Sequence, residues 1–70
     1  MIKIEDLIPL LKEGWVAMDK DKEWYWFECK PSKYSNSWTG VFPFNNLGAF
    51  DIAPADDWTQ SLIKIERKDK

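Results

Sequence analysis

The side chains that could perform chemistry in this chain are one cysteine, Cys29, and a set of carboxylates, because the sequence contains no histidine. Histidine is the commonest general base and the usual partner of a nucleophilic serine or cysteine. Cys29 follows a run of aromatic residues, so we expect a small buried apolar side chain there rather than a nucleophile. The three glycines are isolated and form no phosphate-binding loop. The composition therefore predicts a protein that is not an enzyme.

Three carboxylates, Asp19, Asp21 and Glu23, alternate like the beginning of a calcium loop. The glycine that such a loop needs at its sixth position and the glutamate at its twelfth are replaced by Trp24 and Lys30. A solvated hairpin turn with interspersed lysines is the favoured interpretation. A single cysteine without histidine also excludes an internal disulfide and a Cys/His zinc site, so no cofactor is predicted.

Aromatic side chains are the strongest remaining signal, with five tryptophans, four phenylalanines and two tyrosines in 70 residues. A small domain without disulfides or metals can fill its core with large rings, and core packing is the favoured interpretation of most of them. Rings left at the surface would form a stacking or protein-binding surface. The candidate binding residues are Trp24, Trp26, Trp38, Tyr34 and Trp58.

Apolar spacing predicts a short helix over residues 4–13, which Pro9 must delay or kink because proline lacks a backbone N–H. Residues 15–18 and 23–29 read as two strands of a hairpin closed by the polar residues 19–22. Pairing Met18 with Glu23 would place the tryptophans at 15, 24 and 26 on one face and Tyr25 and Phe27 on the other. Both faces are apolar, so we expect this strand either to lie between two layers of the chain or to have one face that a partner covers.

The second half of the chain predicts a loop over residues 30–37, a strand over residues 38–44 and a turn over residues 45–48. Pro43 indicates a strand end or a sheet edge. A short strand over residues 49–52 follows, then a helical turn capped by Asp57 and a last strand over residues 61–66. The predicted fold is α+β, a short N-terminal helix on an antiparallel sheet of four or five strands, with a small SH3-like barrel as the alternative.

Charge is distributed unevenly along this single predicted domain of residues 1–70. Ten basic and twelve acidic residues give a net charge of -2, which argues against a dedicated nucleic-acid binder. Between Tyr34 and Ile63 there is no lysine or arginine. The N-terminal apolar runs are too short for a signal or spanning segment, so we expect a cytoplasmic protein without membrane contact, and residues 68–70 should fray.

The order of several short segments resembles small uncharacterised proteins encoded by bacteriophages and prophages. The matching segments are Gly14-Trp15-Val16-Ala17-Met18-Asp19, Trp24-Tyr25-Trp26, Lys30-Pro31, Pro54, Asp57-Trp58 and Ser61-Leu62-Ile63. The resemblance implies an infected bacterial cytoplasm, where many short phage proteins bind and inhibit a host or defence protein.

Two functions are therefore expected. The first is a non-enzymatic protein that binds a host or defence protein, or a second copy of itself, through an aromatic and mildly acidic surface. The alternative is a module that sequesters a small nucleotide or similar aromatic ligand between tryptophans.

Overall fold

The N-terminal helix ends where Pro9 enters the chain. In the computed structural model, which describes residues 1–66, helix α1 spans Ile4–Leu7 and continues directly into a 3-10 turn, Ile8–Leu10. Pro9 cannot donate the backbone hydrogen bond that would extend an α-helix through this point. The predicted helix therefore exists, but it is shorter and tighter than its apolar spacing indicated.

Six short strands follow, in two antiparallel sheets. The first contains β1 (Gly14–Met18), β2 (Trp24–Phe27), β5 (Phe44–Asn46) and β6 (Ile63–Ile65), in the order β5-β2-β1-β6. The second contains only β3 (Ser32–Tyr34) and β4 (Ser37–Thr39). The α+β fold predicted from the sequence is confirmed. The two sheets do not pair with each other among residues 1–66, so the arrangement is open rather than a closed barrel.

The predicted register of the first hairpin is wrong by one residue. Met18 lies opposite Trp24, not Glu23, and Trp15 lies opposite Phe27. The cause is a longer turn: Asp19 N–H donates to Glu23 O at 2.9 Å, and Lys22 adopts a positive φ of 73°. Each hairpin face is consequently regrouped. The tryptophans at 24 and 26 share a face with valine and methionine of β1, whereas Trp15 lies on the other face.

One face of the large sheet carries the core. Its buried members are Ile4, Leu7, Val16, Met18, Trp24, Trp26, Leu47 and Ile65. Helix α1 covers this face, as the apolar spacing indicated. Both buried tryptophans satisfy their indole N–H groups within the chain: Trp24 donates to Ala53 O at 3.2 Å and Trp26 donates to Lys12 O at 3.1 Å. Such partners are required because an unpaired buried donor is costly.

The hydroxyl group of Ser61, two residues before β6, extends the contact between β1 and β6 to the end of β1 at Met18. The buried Ser61 accepts a hydrogen bond from Met18 N–H at 2.8 Å, and its hydroxyl has Trp58 O at 2.7 Å as its nearest acceptor. The predicted cap at Asp57 is confirmed. Its carboxylate accepts from Thr59 N–H at 3.0 Å at the start of the 3-10 turn Trp58–Gln60. The predicted last strand is also confirmed, over Ile63–Ile65.

Four other predictions from the sequence need correction. The predicted strand over residues 38–44 is divided between β4 and β5, with a cis peptide bond before Pro43 between them. The predicted loop over residues 30–37 contains β3, and the predicted strand over residues 49–52 is reduced to a single parallel bridge between Ile2 and Ile52. Cys29 is exposed rather than buried, because β2 ends at Phe27. The predicted fraying of residues 68–70 lies outside the described residues.

Candidate functional site

The small β3–β4 hairpin lies against the second face of the large sheet, and its approach depends on Gly40. A Cβ atom at this position would lie 2.8 Å from a ring carbon of Phe27, which is itself only 2% exposed. Two hydrogen bonds fix the hairpin to the turn after β1: Trp38 N–H donates to Asp19 Oδ1 at 2.9 Å, and Lys20 N–H donates to Asn36 O at 3.1 Å. The hairpin thus covers part of the face opposite the core.

Between the hairpin and the sheet lies a cleft of about 340 Å³, here called the aromatic cleft. Its lining residues are Asp19, Tyr25, Phe27, Trp38, Thr39, Gly40 and Phe44. Four of the seven carry aromatic rings. The volume is at the lower end of the range of roughly 300–1,000 Å³ that is typical of small-molecule sites.

The rings of the sheet form one continuous wall of this cleft. The centroids of Tyr25 and Phe27 are 6.3 Å apart with their planes inclined by 37°, and those of Phe27 and Phe44 are 6.0 Å apart with an inclination of 38°. Phe27 and Phe44 are directly opposite each other in the pairing of β2 with β5. The three rings are therefore inclined to one another along the sheet. Trp38 comes from β4 of the other sheet. The cleft is therefore lined by ring surfaces from both sheets.

Asp19 is the only charged residue that residues 1–66 contribute to the lining of the aromatic cleft. Partial burial raises the pKa of its carboxyl group; the hydrogen bond from Trp38 N–H opposes this rise, and the neighbouring carboxylates of Asp21 and Glu23 add to it. Among residues 1–66 no lysine forms an ion pair with it, since the single ion pair found there joins Lys64 to Glu66. A partly desolvated carboxylate without a cationic partner favours cationic over anionic ligands.

Outside the cleft the same wall continues into an exposed apolar segment, here called the aromatic edge and formed by Val41, Phe42 and Phe44. Their exposed fractions are 66%, 82% and 41%. The rings of Phe42 and Phe44 meet edge to face, with centroids 5.9 Å apart. No charged side chain belongs to the segment. Contiguous exposed apolar surface of this kind commonly marks an interaction site.

Strand β5 adds unpaired backbone groups to the aromatic edge. It is the terminal strand of its sheet; at its two ends Leu47 N–H donates to Trp24 O, and Pro43 O accepts from Glu28 N–H directly after β2. Backbone groups alternate in direction along a strand, so those of Phe44 and Asn46 point away from the sheet. Natural proteins usually protect such edges with charge or a covering element, and neither charge nor cover is present on β5 in the described chain.

The predicted binding residues occupy three different places. Trp24 is 3% exposed and Trp26 is 9% exposed, so the fold buries most of both side chains. Trp38 and Trp58 are half-buried and are brought together, because Trp38 Nε1–H donates to Trp58 O at 3.1 Å. Tyr34 is 71% exposed at the far end of β3. Only Trp38 of these five lines the aromatic cleft.

The sequence-based list omitted the residues that form the aromatic edge. Two phenylalanines flanking Pro43, in a stretch without lysine or arginine, were the available signal. Pro43 indicated a sheet edge, and an exposed edge leaves its large side chains uncovered. The sequence-based list gave weight to the tryptophans instead, and two of them lie in the core.

Among residues 1–66, no group of three or more cysteine, aspartate or glutamate side chains could hold a metal ion, and no helix has the length and hydrophobicity to cross a membrane. No family model, curated protein or solved structure matches this chain.

Proposed function

We propose that this chain is a small non-enzymatic binding protein that occupies a partner protein through the aromatic edge. The observation that carries the proposal is the exposure of Phe42, 82% of which is accessible although a second ring, that of Phe44, packs against it. Interfaces concentrate their binding energy in a few aromatic side chains surrounded by less important contacts. Phe42 is the ring that a partner would bury most completely.

The backbone of β5 supports the same proposal. Outward N–H and C=O groups at Phe44 and Asn46 can accept an added strand, which gives affinity through main-chain hydrogen bonds while side chains provide specificity. The uncharged segment between Tyr34 and Asp51 imposes no charge repulsion on a partner. A host or defence protein of an infected bacterium is the partner that the phage resemblance implies, and a second copy of this chain is the other candidate.

Affinity capture with matched variants tests the proposal. Phe42→Ser removes the most exposed ring, whereas Phe50→Ser removes a phenylalanine that is 44% exposed outside the aromatic edge. Wild type and Phe50→Ser should retain a bacterial partner that Phe42→Ser loses, and calorimetry with the purified partner should show the affinity falling at least about tenfold.

Sedimentation of the three proteins tests the self-association form of the proposal. A dimer that Phe42→Ser converts to a monomer would identify the second copy as the partner. Equal capture by both variants, together with a monomer for wild type, would refute binding through the aromatic edge.

The nucleotide-binding alternative stays a prediction with less support. The only charged group that the described residues place in the aromatic cleft is a carboxylate, which repels phosphate, and the rings of Trp24 and Trp26 are buried. A nucleotide panel followed by tryptophan fluorescence tests it, because a base stacked on Trp38 would quench or shift the emission.

A further inference from the structure

The aromatic cleft combines three features that point to one chemical class of ligand. Partly exposed rings of Tyr25, Trp38 and Phe44 line a space of about 340 Å³ together with the buried Phe27, and Asp19 supplies a negative charge. Aromatic faces attract cations through the ring quadrupole, and cages of several rings are the known solution for binding substituted ammonium groups. A carboxylate beside such rings adds direct charge attraction.

We propose that the aromatic cleft binds a substituted ammonium group, supplied by a lysine or methyl-lysine side chain of the partner protein. The assignment of the cation to a partner protein rests on the proposed protein-binding function. The preference of the cleft for a cation does not depend on that function. Phe44 belongs to both the cleft and the aromatic edge, so a segment lying on the edge can insert a side chain between the two sheets.

Charge complementarity selects a cation rather than an apolar side chain. Asp19 lacks an ion pair in the described part of the chain and is not fully solvated. An apolar group entering the cleft would desolvate this carboxylate further without compensation, which is unfavourable. An ammonium group would replace the lost water by an ionic contact and by ring faces.

Lysines of this chain already approach an aromatic ring elsewhere on the same sheet face. Lys30 Nζ and Lys64 Nζ lie 5.7 Å and 5.6 Å from the ring centroid of Trp15. Neither of them lines the aromatic cleft, whose rings have no cation of the described chain among them. The cleft therefore differs from the Trp15 site in being open to a cation from outside.

Titration with tetramethylammonium chloride tests the chemistry without any partner. Proton NMR should show saturable upfield shifts confined to the rings of Tyr25, Phe27, Trp38 and Phe44, at matched ionic strength. The neutral isostere tert-butanol should bind at least about tenfold more weakly. Equal shifts with tert-butanol, shifts spread over other rings, or no saturable shift would each overturn the proposal.

Two conservative variants assign the effect to the cleft. Asp19→Asn keeps an oxygen to accept from Trp38 N–H but removes the charge, and Phe44→Leu keeps apolar bulk but removes a ring. Each should weaken tetramethylammonium binding several-fold, whereas Phe50→Leu should not change it. Circular dichroism should confirm that all three variants are folded, and unchanged binding in Asp19→Asn would overturn the role of the carboxylate.

A short capped peptide containing trimethyl-lysine identifies the source of the cation. Binding at least about tenfold tighter than tetramethylammonium supports a partner side chain, and binding no tighter than the free ion overturns that assignment. Phe42→Ser separates this inference from the proposed function, because it lies outside the cleft lining and should leave tetramethylammonium binding intact while abolishing partner capture. Partner capture retained by Phe42→Ser would refute the proposed function alone, whereas the absence of saturable tetramethylammonium binding to wild type would refute the cation site alone.

Discussion

The two faces of β2 carry aromatic residues in equal number but use them differently. Trp24 and Trp26 point into the core, and each donates its indole N–H to a backbone carbonyl of the same chain. Tyr25 and Phe27 point to the other face, where a two-stranded hairpin helps to bury Phe27, which is 2% exposed, but leaves Tyr25 half-buried beside a cleft. The difference teaches that aromatic content alone does not indicate a binding surface. What distinguishes a surface ring is the absence of a second layer large enough to cover it.

The largest expected effect compares two adjacent residues on opposite faces. Trp24→Ala should cost roughly 3–5 kcal/mol, because it removes a buried ring and leaves a cavity. A domain of 70 residues has a total stability of only about 4–10 kcal/mol, so the variant should be largely unfolded or loosely packed. Tyr25→Ala should cost about 1 kcal/mol, since its ring is only half-buried. Urea unfolding of both variants measures the contrast, and equal losses would remove the distinction between the faces.

The second prediction tests how closely the hairpin approaches the sheet. Gly40→Ala should destabilise the protein by about 1–3 kcal/mol, because the new methyl group would clash with the ring of buried Phe27. Gly48→Ala provides the control, since its nearest neighbours are the side-chain oxygens of Asn46 and Glu23, which are exposed and can move. A Gly40 variant as stable as wild type would mean that the hairpin is not held against Phe27.

A third prediction concerns the carboxylate on the outer face. The pKa of Asp19 is raised by burial in the folded protein, so the folded state binds more protons than the unfolded state between pH 3.8 and that raised value. The stability contributed by its protonation is complete below pH 3.8 and is lost as pH rises. Asp19→Asn should therefore be more stable than wild type at neutral pH, with a difference that disappears at pH 3. Thermal unfolding at several pH values measures this, and a constant difference would contradict it.

The smallest expected effect on stability belongs to the aromatic edge. Phe42→Ser should change the free energy of unfolding by less than about 0.5 kcal/mol, because its ring is mostly in water. Denaturant titration provides the measurement. A decrease of more than about 1 kcal/mol in the free energy of unfolding would show that Phe42 stabilises the fold. Loss of partner capture in Phe42→Ser could then result from unfolding rather than from a missing contact.

Local chemistry was the part of the fold that the sequence predicted well. The Asp57 cap, the effect of Pro9 on the helix and the existence of the first hairpin depend on neighbours within a few residues. The register of that hairpin depended instead on a left-handed conformation at Lys22, which lysine rarely adopts and which only the surrounding structure can impose.

The candidate site was harder to predict because it is made by non-local contacts. Four separate segments contribute to it. Phe27 and Phe44 belong to the large sheet, Trp38 belongs to the small sheet, and Asp19 lies in the turn after β1. The aromatic residues on both faces of β2 indicated that each face packs against something. The pattern does not predict what fraction of each side chain becomes buried. The prediction that Cys29 is buried was wrong for this reason, and two of the predicted binding residues, Trp24 and Trp26, lie in the core.

The attachment of the hairpin at Asp19 and Asn36 gives this small protein two units that can open separately. β3 and β4 pair only with each other in the described chain, whereas β1 and β2 are each paired on both sides. Local opening of the hairpin would expose Phe27 without disturbing the core, so amide protons of β3 and β4 should exchange with solvent faster than those of β1. A ligand that holds the hairpin closed would then slow that exchange. Binding at the cleft would therefore be measurable as increased protection of the amide protons of β3 and β4.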